Sequence, residues 1–326
     1  MYKTRMAKAL VEKASYDDRL WDLGNSGVWY RVDSGKLDAE LLAKFEPLRL
    51  DEETVEFLTN CQNTSDSIML QLYYTVATYL LQPFLAKTSI NGLLNRGSMF
   101  MFSKGQIGAF LRAPPDDNVN SRGVLLDLGA GDGAVTAKIA PFYDAVYATE
   151  ASKPMRDRLT ARGYHLIGIE EWPKWERPEK IGLISCLNLI DRHPRPRELL
   201  SQLLKLASRH KCPVLLAVVL PWSQFVEFEA GDSTNSPDEW VALQGGSFEE
   251  QLRSLEEKLI RPAGFAIARW TKLPYLCEGD SYQAFYWLQD ALLLLTPRED
   301  SKDCDSTATS TCDREACGKQ TVLRQY

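Results

Sequence analysis

The feature that most constrains the fold is a short apolar run, residues 124–128, that leads directly into the glycine-rich segment Gly129-Ala-Gly-Asp-Gly133. Closely spaced glycines allow a backbone to turn sharply and to lie against a ligand. A strand, a glycine-rich turn and a helix start together form the ligand site at the end of many parallel sheets. The segment therefore predicts an α/β fold with a cofactor at this turn.

The chain after this point alternates short apolar runs with amphipathic stretches, which is typical of βα units around a largely parallel sheet. We predict seven strands, at residues 124–128, 145–149, 164–169, 181–187, 213–220, 265–273 and 284–295. Helices are predicted at residues 133–142, 152–162, 195–209 and 247–259. Seven strands, with a long helical insertion before the last two, match a class I (Rossmann-like) methyltransferase sheet better than a six-stranded dinucleotide fold.

Three regions are expected along the chain. Residues 1–112 are predicted to be a helical N-terminal extension, because apolar residues recur every three to four positions, as at Ile68 and Leu72. Two glycines within residues 88–100 predict a loop or a helix end there. Residues 113–297 form the predicted α/β domain, with a mobile connection at 227–246. Residues 298–326, rich in Ser, Thr and Asp, are predicted to be a disordered tail.

Composition excludes several classes of function. The formal net charge of −6 argues against a broad basic surface for nucleic acid. Seven cysteines without a C-x-x-C pair, and three histidines, predict no metal site. No apolar run approaches the ~18 residues of a membrane span, and no leader of signal-peptide type is recognisable. We therefore expect an intracellular, cytoplasmic monomer that binds neither nucleic acid nor metal.

The register of the glycine-rich turn favours S-adenosylmethionine over a dinucleotide. Dinucleotide sites prefer G-x-G-x-x-G, whereas this chain has D-x-G-x-G-x-G from Asp127 to Gly133. The carboxylates of Asp127 and Asp132 would repel a pyrophosphate but suit an ammonium and a sulfonium group. Glu150, which ends the second predicted strand, can accept hydrogen bonds from ribose hydroxyls. The alternative is a tight turn beside a solvated strand end.

The loop after the third predicted strand contains Glu170, Glu171 and Trp172. These side chains could contact the adenine ring of the cofactor. An exposed aromatic loop is an equally good interpretation.

The end of the fourth predicted strand should face the transferred methyl group, because ligands of open α/β sheets lie beyond the carboxyl ends of the strands. Asn188, Asp191 and Arg192 follow that strand and could bind both cofactor and nucleophile. Alternatively, Asp191 caps the next helix and pairs with Arg192 on the surface. Residues 188–191 also differ from the Asn-Pro-Pro-Tyr motif of amino-group methylases, so the motif leaves the acceptor open. His193 is adjacent, but we do not expect it to be catalytic.

A second candidate segment, residues 273–286, lies between the last two predicted strands and contains Tyr275, Tyr282 and Tyr286. Tyrosine hydroxyls at the edge of the sheet could orient a flat heteroaromatic acceptor. Alternatively, Tyr282 and Tyr286 lie in the core with their hydroxyls on backbone carbonyls.

Five segments together resemble the methyltransferase-like protein 9 (DREV) family: residues 88–100, 125–133, 147–150, 185–192 and 273–280. The resemblance extends over about residues 55–297. It implies a protein-histidine methyltransferase that transfers methyl from S-adenosylmethionine to Nδ1, the pros nitrogen, of histidine in His-x-His motifs of other proteins. It implies the following cofactor-binding residues: Asp127, Gly129, Gly131, Glu150, Asn188 and Tyr275.

The same resemblance implies that Asp191, with Tyr286 nearby, holds the target imidazole, and Arg192 falls in the same motif. Together with the tyrosine segment, this predicts Asp191, Asn188 and Tyr286 as catalytic residues and Asp191, Arg192, Tyr282 and Tyr286 as substrate-binding residues. It also suggests endomembrane association, but the first residues lack an apolar leader, so a cytoplasmic location is expected. The alternatives are a small-molecule or nucleic-acid methyltransferase on the same fold, or an inert scaffold. The intact turn and Glu150 disfavour a scaffold.

Overall fold

The computed structural model of the chain describes residues 21–22, 24, 27–84, 87–112, 122–226 and 237–298. Within these residues, eight strands form one sheet: β1 (Met99–Phe100), β2 (Val124–Leu128), β3 (Val146–Thr149), β4 (His165–Leu166), β5 (Ile181–Leu187), β6 (Val214–Val219), β7 (Phe265–Glu278) and β8 (Phe285–Pro297). Their order across the sheet is β1-β7-β8-β6-β5-β2-β3-β4.

Five neighbouring strands are parallel, and the remaining three join them in antiparallel pairs. β4, β3, β2, β5 and β6 run in one direction, whereas β8 pairs antiparallel with β6 and β7. Leu128, at the end of β2, is paired with Thr149 of β3 and with Cys186 of β5. The carboxyl ends of these three strands therefore meet at one edge, where open α/β sheets bind ligands.

The parallel strands are continuous apolar runs because both faces of the sheet are covered. In β2, Val124, Leu126 and Leu128 pack into one hydrophobic cluster, whereas Leu125 packs into a second cluster on the other face. All five residues of β2 are buried. The predicted α/β class is confirmed.

The predicted strand count was wrong by one. The additional strand, β1, has two residues, and it pairs antiparallel with β7 through Met99–Cys277 and Phe100–Leu276. Two residues carry no periodic pattern, so the strand depends on its partner. β7 also extends further than predicted, to Glu278.

Nine α-helices occur in the described part of the chain: α1 (Ala39–Ala43), α2 (Glu52–Asp66), α3 (Ile68–Leu81), α4 (Lys87–Leu94), α5 (Lys104–Phe110), α6 (Thr136–Ile139), α7 (Lys153–Ala161), α8 (Pro196–His210) and α9 (Phe248–Leu255). Short 3₁₀ helices span Ser34–Lys36 and Ala140–Phe142, and a π-helix, Glu256–Ile260, extends α9.

The predicted helices after β2 are all found. The capping box that predicts α9 is present, since the Ser247 hydroxyl accepts from Glu250 N–H and the Glu250 carboxylate accepts from Ser247 N–H. The helix predicted at 133–142 instead consists of α6 followed by a 3₁₀ turn that contains Pro141. Proline lacks the N–H that an α-helix would use at this position.

Residues 88–94 are helical and the helix ends at Leu94, so the predicted helix end is found within this segment. The chain leaves α4 through Asn95, at φ 54°, and Gly97, at φ 69°, before it enters β1. The loop prediction is correct for residues 95–98. This turn brings a short segment of the N-terminal region to the ligand edge of the sheet.

Helix α3 has its apolar side chains on the outside. Gln71 and Tyr74 are its buried residues, and its exposed large side chains are Ile68, Met69, Leu72, Tyr73, Val76, Tyr79 and Leu80. Among the described residues, no helix is both long and apolar enough to cross a membrane.

The predicted boundaries of the three regions stay predictions. Residues 113–121, the first half of the connection predicted at 227–246 and the tail from residue 299 lie outside the described part of the chain.

Candidate active site

The glycine-rich turn follows β2 and has left-handed backbone conformations that favour glycine. Gly129 lies at φ 69° and Gly131 at φ 57°. A Cβ built on Gly129 would be 3.0 Å from Leu189 Cδ1, whereas one on Gly131 would meet nothing within 4 Å among the described atoms. Gly129 is therefore required by packing and backbone conformation, and Gly131 leaves open space at the end of β2.

Asp127, the carboxylate that precedes the turn, is buried and fully engaged. It accepts hydrogen bonds from Thr136 Oγ1 at 2.5 Å and from Ser185 Oγ at 2.6 Å. Burial raises its pKa to about 6, although the two hydroxyl donors oppose the shift. Asp127 thus joins β2 to α6 and β5 beneath the turn. The partners of Asp127, Thr136 and Ser185, were not among the predicted site residues.

Glu150 fixes the turn from the end of β3. One carboxylate oxygen accepts from Gly131 N–H at 2.9 Å, and the other accepts from Ser152 N–H at 2.8 Å. These bonds place the carboxylate beside the turn. A contact with ribose hydroxyls stays a prediction.

A cavity of about 130 Å³ opens at this edge of the sheet and is called the donor cavity below. It brings together five of the six predicted cofactor residues: Asp127, Gly129, Gly131, Asn188 and Tyr275. Glu150, the sixth, contacts this set through Gly131. Residues that sequence reasoning missed also line the cavity, among them Arg96, Gly97, Met99, Met155 and Arg158.

A larger cavity, of about 360 Å³, lies beside the ends of β6 and β8 and is called the acceptor cavity below. Asp191 and Arg192 line it together with the aromatic side chains Phe225 and Trp287. The Arg192 guanidinium lies over the Phe225 ring, 5.5 Å from its centroid. Planar cationic and aromatic surfaces of this kind suit a flat ring.

Asp191 is 3% exposed, and its carboxylate is only partly engaged. Oδ2 lies 3.4 Å from Arg192 Nε, whereas the buried Oδ1 has no hydrogen-bond partner among the described residues. Burial raises the pKa of Asp191 to about 6, and Arg192 opposes the shift. The alternative role as a helix cap is wrong, because α8 has no side-chain cap.

Asn188 lines the donor cavity and precedes Asp191, which lines the acceptor cavity, by three residues. Its backbone is left-handed, at φ 51°, and its N–H donates to Ala217 O of β6 at 3.0 Å. Its Nδ2 donates to Asp290 Oδ2 at 2.8 Å. Its Oδ1 is buried and finds no partner within the part of the chain that the structure describes.

Asp290 is the residue that sequence reasoning missed most clearly. It is fully buried in β8. Burial, reinforced by the nearby Asp191 charge, raises its pKa to about 8, while the Asn188 hydrogen bond opposes the shift. The available signal was an acidic residue directly before the apolar run at 291–295.

The three tyrosines of the second segment lie in different places. Tyr275 lines the donor cavity and donates to the Met99 sulfur, and burial raises its pKa well above the usual range. Tyr286 donates to Asp280 Oδ2 at 3.1 Å and is 42% exposed, and Tyr282 is 81% exposed. The alternative that Tyr282 and Tyr286 are core residues is therefore wrong. The described lining of the acceptor cavity includes neither of them.

The loop after β4 lines a different cavity from the donor cavity. Trp172 is buried in the main core, so the alternative of an exposed aromatic loop is also wrong. Glu170 and Glu171 are exposed beside a separate cavity. Within the described lining of the donor cavity, this loop contributes no residue.

The histidines have structural contacts. His165 stacks on Tyr147 with ring centroids 4.8 Å apart, and His210 Nδ1 accepts from Ile181 N–H at 3.2 Å. His193 Nδ1 accepts from Arg195 N–H at 3.1 Å, and burial lowers its pKa. Among the described residues, no group of His, Cys, Asp and Glu has the arrangement of a metal site.

Comparisons with known proteins identify similar sequences and folds. The model of the family described as DREV methyltransferase matches residues 29–297. An S-adenosylmethionine-dependent methyltransferase from Clostridium acetobutylicum is 13% identical, with 69% of this chain and 97% of that chain covered and a TM-score of 0.36.

Two further solved structures have comparable similarity. A TehB-like SAM-dependent methyltransferase from Corynebacterium glutamicum is 12% identical, with 60% of this chain and 96% of that chain covered and a TM-score of 0.33. The N-terminal domain of EvdMO1 with SAH bound is 15% identical, with 60% and 81% covered and a TM-score of 0.33.

Proposed function

Because the chain belongs to the DREV methyltransferase family and is an S-adenosylmethionine-dependent methyltransferase, we propose that it methylates Nδ1 of histidine in His-x-His motifs of other proteins. The family match confirms the resemblance seen in the sequence. The choice of histidine as the methyl acceptor is supported by the lining of the acceptor cavity.

The single observation that carries the proposal is the buried Oδ1 of Asp191 in the acceptor cavity, which has no hydrogen-bond partner among the described residues. A buried carboxylate oxygen without a donor is costly, so it is expected to meet a donor when substrate binds. A neutral imidazole offers one N–H donor and a flat ring, and the cavity places the Asp191 carboxylate in the same lining as Phe225 and Trp287. A flat ring with one N–H donor therefore fits the chemistry of this lining.

The residues of the donor cavity fit the cofactor. Gly131 leaves space at the strand end, and Asp127 and Asp132 supply negative charge near a sulfonium. The buried Oδ1 of Asn188, which lacks a partner among the described residues, can accept from the ammonium group of the methionine portion. Bound there, S-adenosylmethionine would supply an electrophilic methyl group, with the S–CH3 bond broken as the new N–C bond forms and S-adenosylhomocysteine as the leaving group.

The protein's main task is then to select one nitrogen of the acceptor. Neutral imidazole is already nucleophilic near pH 7, since its unperturbed pKa is about 6.5. When Asp191 accepts a hydrogen bond from Nε2–H, the lone pair remains on Nδ1 and can be aligned with the methyl group. Asp191 also stabilises the imidazolium that forms as the N–C bond is made. Loss of the Nε2 proton, to Asp191 or to water, then gives the neutral product.

Arg192 supports this role of Asp191. Its guanidinium, 3.4 Å from Asp191 Oδ2, opposes the burial that raises the pKa of the carboxyl. Asp191 is therefore mostly ionised at pH 7 and can act as an acceptor.

The proposal is tested by transfer of tritiated methyl to three acceptors: a His-x-His peptide, an imidazole dipeptide and RNA. We expect labelling of the peptide, and peptide mapping should place the methyl on Nδ1. A matched peptide with both histidines replaced by alanine is the control. Labelling of only the dipeptide or only RNA would overturn histidine in proteins as the acceptor.

A further inference from the structure

A buried carboxyl group that the proposed mechanism does not use, Asp290, lies directly behind Asn188. It occupies β8 at the position paired with Val219 of β6 and with Leu273 of β7, and it is fully buried. A carboxyl group among leucines is costly to bury unless a specific partner compensates. Its partner is therefore a guide to its role.

The partner of Asp290 is the side chain of Asn188. Asn188 Nδ2 donates to Asp290 Oδ2 at 2.8 Å, and Asn188 is also one of the residues that line the donor cavity. Asp290 itself has no exposed area. It therefore does not contact a ligand of the cavity directly, and its hydrogen bond reaches the cavity lining at Asn188.

The hydrogen bond determines which end of the Asn188 amide is available. An amide has one donor group and one acceptor oxygen, and a carboxyl oxygen facing Nδ2 can only accept. With Nδ2 held by Asp290, the Asn188 Oδ1 is left as a buried acceptor that has no partner among the residues the structure describes. The left-handed backbone of Asn188 and its bond to Ala217 O fix the other end of the residue.

We propose that Asp290 is a positioning residue, which holds the Asn188 amide so that its oxygen, rather than its amino group, is presented to the methyl donor. The group recognised in this way is an N–H donor, such as the ammonium of S-adenosylmethionine. The inference rests on the proposed role of Asn188 in cofactor binding, and it does not depend on histidine as the acceptor.

The protonation state of Asp290 decides which substitution matches it. Burial and the Asp191 charge raise the pKa of Asp290 to about 8, so the group is mostly neutral at pH 7. Asparagine has nearly the same shape as a neutral aspartic acid and keeps an oxygen that accepts from Asn188 Nδ2. Leucine has a similar size but offers no acceptor. The two substitutions therefore separate the hydrogen bond from the packing.

The test is the dissociation constant of S-adenosylmethionine, measured by calorimetry at pH 7 for wild type, Asp290→Asn, Asp290→Leu, Asn188→Ala and the double variant Asn188→Ala/Asp290→Leu. We expect Asp290→Leu to weaken binding about tenfold, the equivalent of one lost hydrogen bond, and Asp290→Asn to bind within about twofold of wild type. The double variant should bind no more weakly than Asn188→Ala, since both changes remove one function.

Three results would overturn the inference: wild-type affinity in Asp290→Leu, equal losses in Asp290→Asn and Asp290→Leu, or a double variant whose loss is the product of the two single losses. The last two are expected of a purely structural residue. If Asp290→Leu does not fold, Asp290→Ser serves instead, because its hydroxyl is too short to reach Asn188 Nδ2. Failure of histidine methylation by a wild-type protein that binds S-adenosylmethionine would refute the proposed acceptor and leave this test unaffected.

Discussion

Replacement of Asp191 by asparagine tests the proposed choice of nitrogen most directly. The variant keeps the size of a side chain that is 3% exposed, and it removes the negative charge beside the target imidazole. A hydrogen bond to a charged group contributes about 1.5–3 kcal/mol, which corresponds to a loss of roughly 10- to 150-fold. We therefore expect kcat/KM for a His-x-His peptide to fall by that factor. Asp191→Ala, which also removes the acceptor, should lose more.

The affinity for S-adenosylmethionine should remain within about twofold of wild type in both variants, since the described lining of the donor cavity does not include Asp191. Methyl transfer is measured with tritiated donor, and binding is measured by calorimetry. Asp238→Asn is a matched control, because Asp238 is a 70% exposed carboxylate near Arg195. If Asp191→Asn retains kcat/KM within about threefold, the role of Asp191 is wrong.

The pH profile gives a second measure of the same interaction. The pKa of Asp191 is about 6, and that of a substrate imidazole is about 6.5. As the pH falls below 6, protonation of Asp191 and protonation of the substrate imidazole should therefore both lower wild-type kcat/KM. Asp191→Asn lacks the first of these two groups, so its kcat/KM should fall less steeply on the acid side. Parallel acid limbs would contradict the assignment.

Three further predictions concern binding and stability. Gly129→Arg should abolish S-adenosylmethionine binding in calorimetry, because the site has φ 69° and a Cβ there would be 3.0 Å from Leu189 Cδ1; unchanged affinity would remove this turn from the cofactor site. The pKa of Asp290 is about 8 in the folded protein and about 3.9 when unfolded, so its contribution to stability is present at pH 4 and is lost as the pH rises towards 8. Measured by urea unfolding, the free energy of unfolding of Asp290→Asn should therefore increase relative to that of wild type, by up to about 1.4 kcal/mol per pH unit between pH 4 and 8. A difference that stays constant with pH would contradict the raised pKa. Leu72→Gln should change the free energy of unfolding by less than about 0.5 kcal/mol, because this α3 side chain is 56% exposed; a loss above ~2 kcal/mol would show that the face is covered.

The parts of the fold that could be predicted from sequence are those specified by local patterns. β2 and β5 are apolar runs buried on both faces, and glycines mark the end of β2. β1 could not be predicted, since its two residues become a strand only through pairing with β7. Local pattern therefore predicts the strands of the parallel sheet but not its short edge.

The same distinction applies to the site. Residues that follow parallel strands, such as Glu150 and Asn188, could be found because strand ends converge at one edge. The bond from Asn188 to Asp290 joins positions 102 residues apart. No spacing rule links them, and an isolated aspartate beside an apolar run has no motif. The exposed positions of Tyr282 and Tyr286 likewise depend on how β7 turns into β8.

The pairing of β1 with β7 has a consequence for any attempt to transplant this catalytic unit. The turn before β1 supplies Arg96 and Gly97 to the wall of the donor cavity. Arg96 also lies over the ring of Tyr74 in α3, 4.9 Å from its centroid. A fragment that begins at the glycine-rich turn would therefore carry the turn, Glu150 and Asn188 but only part of the lining of the donor cavity. The smallest fragment that keeps the whole lining of this cavity includes the helices that precede the sheet.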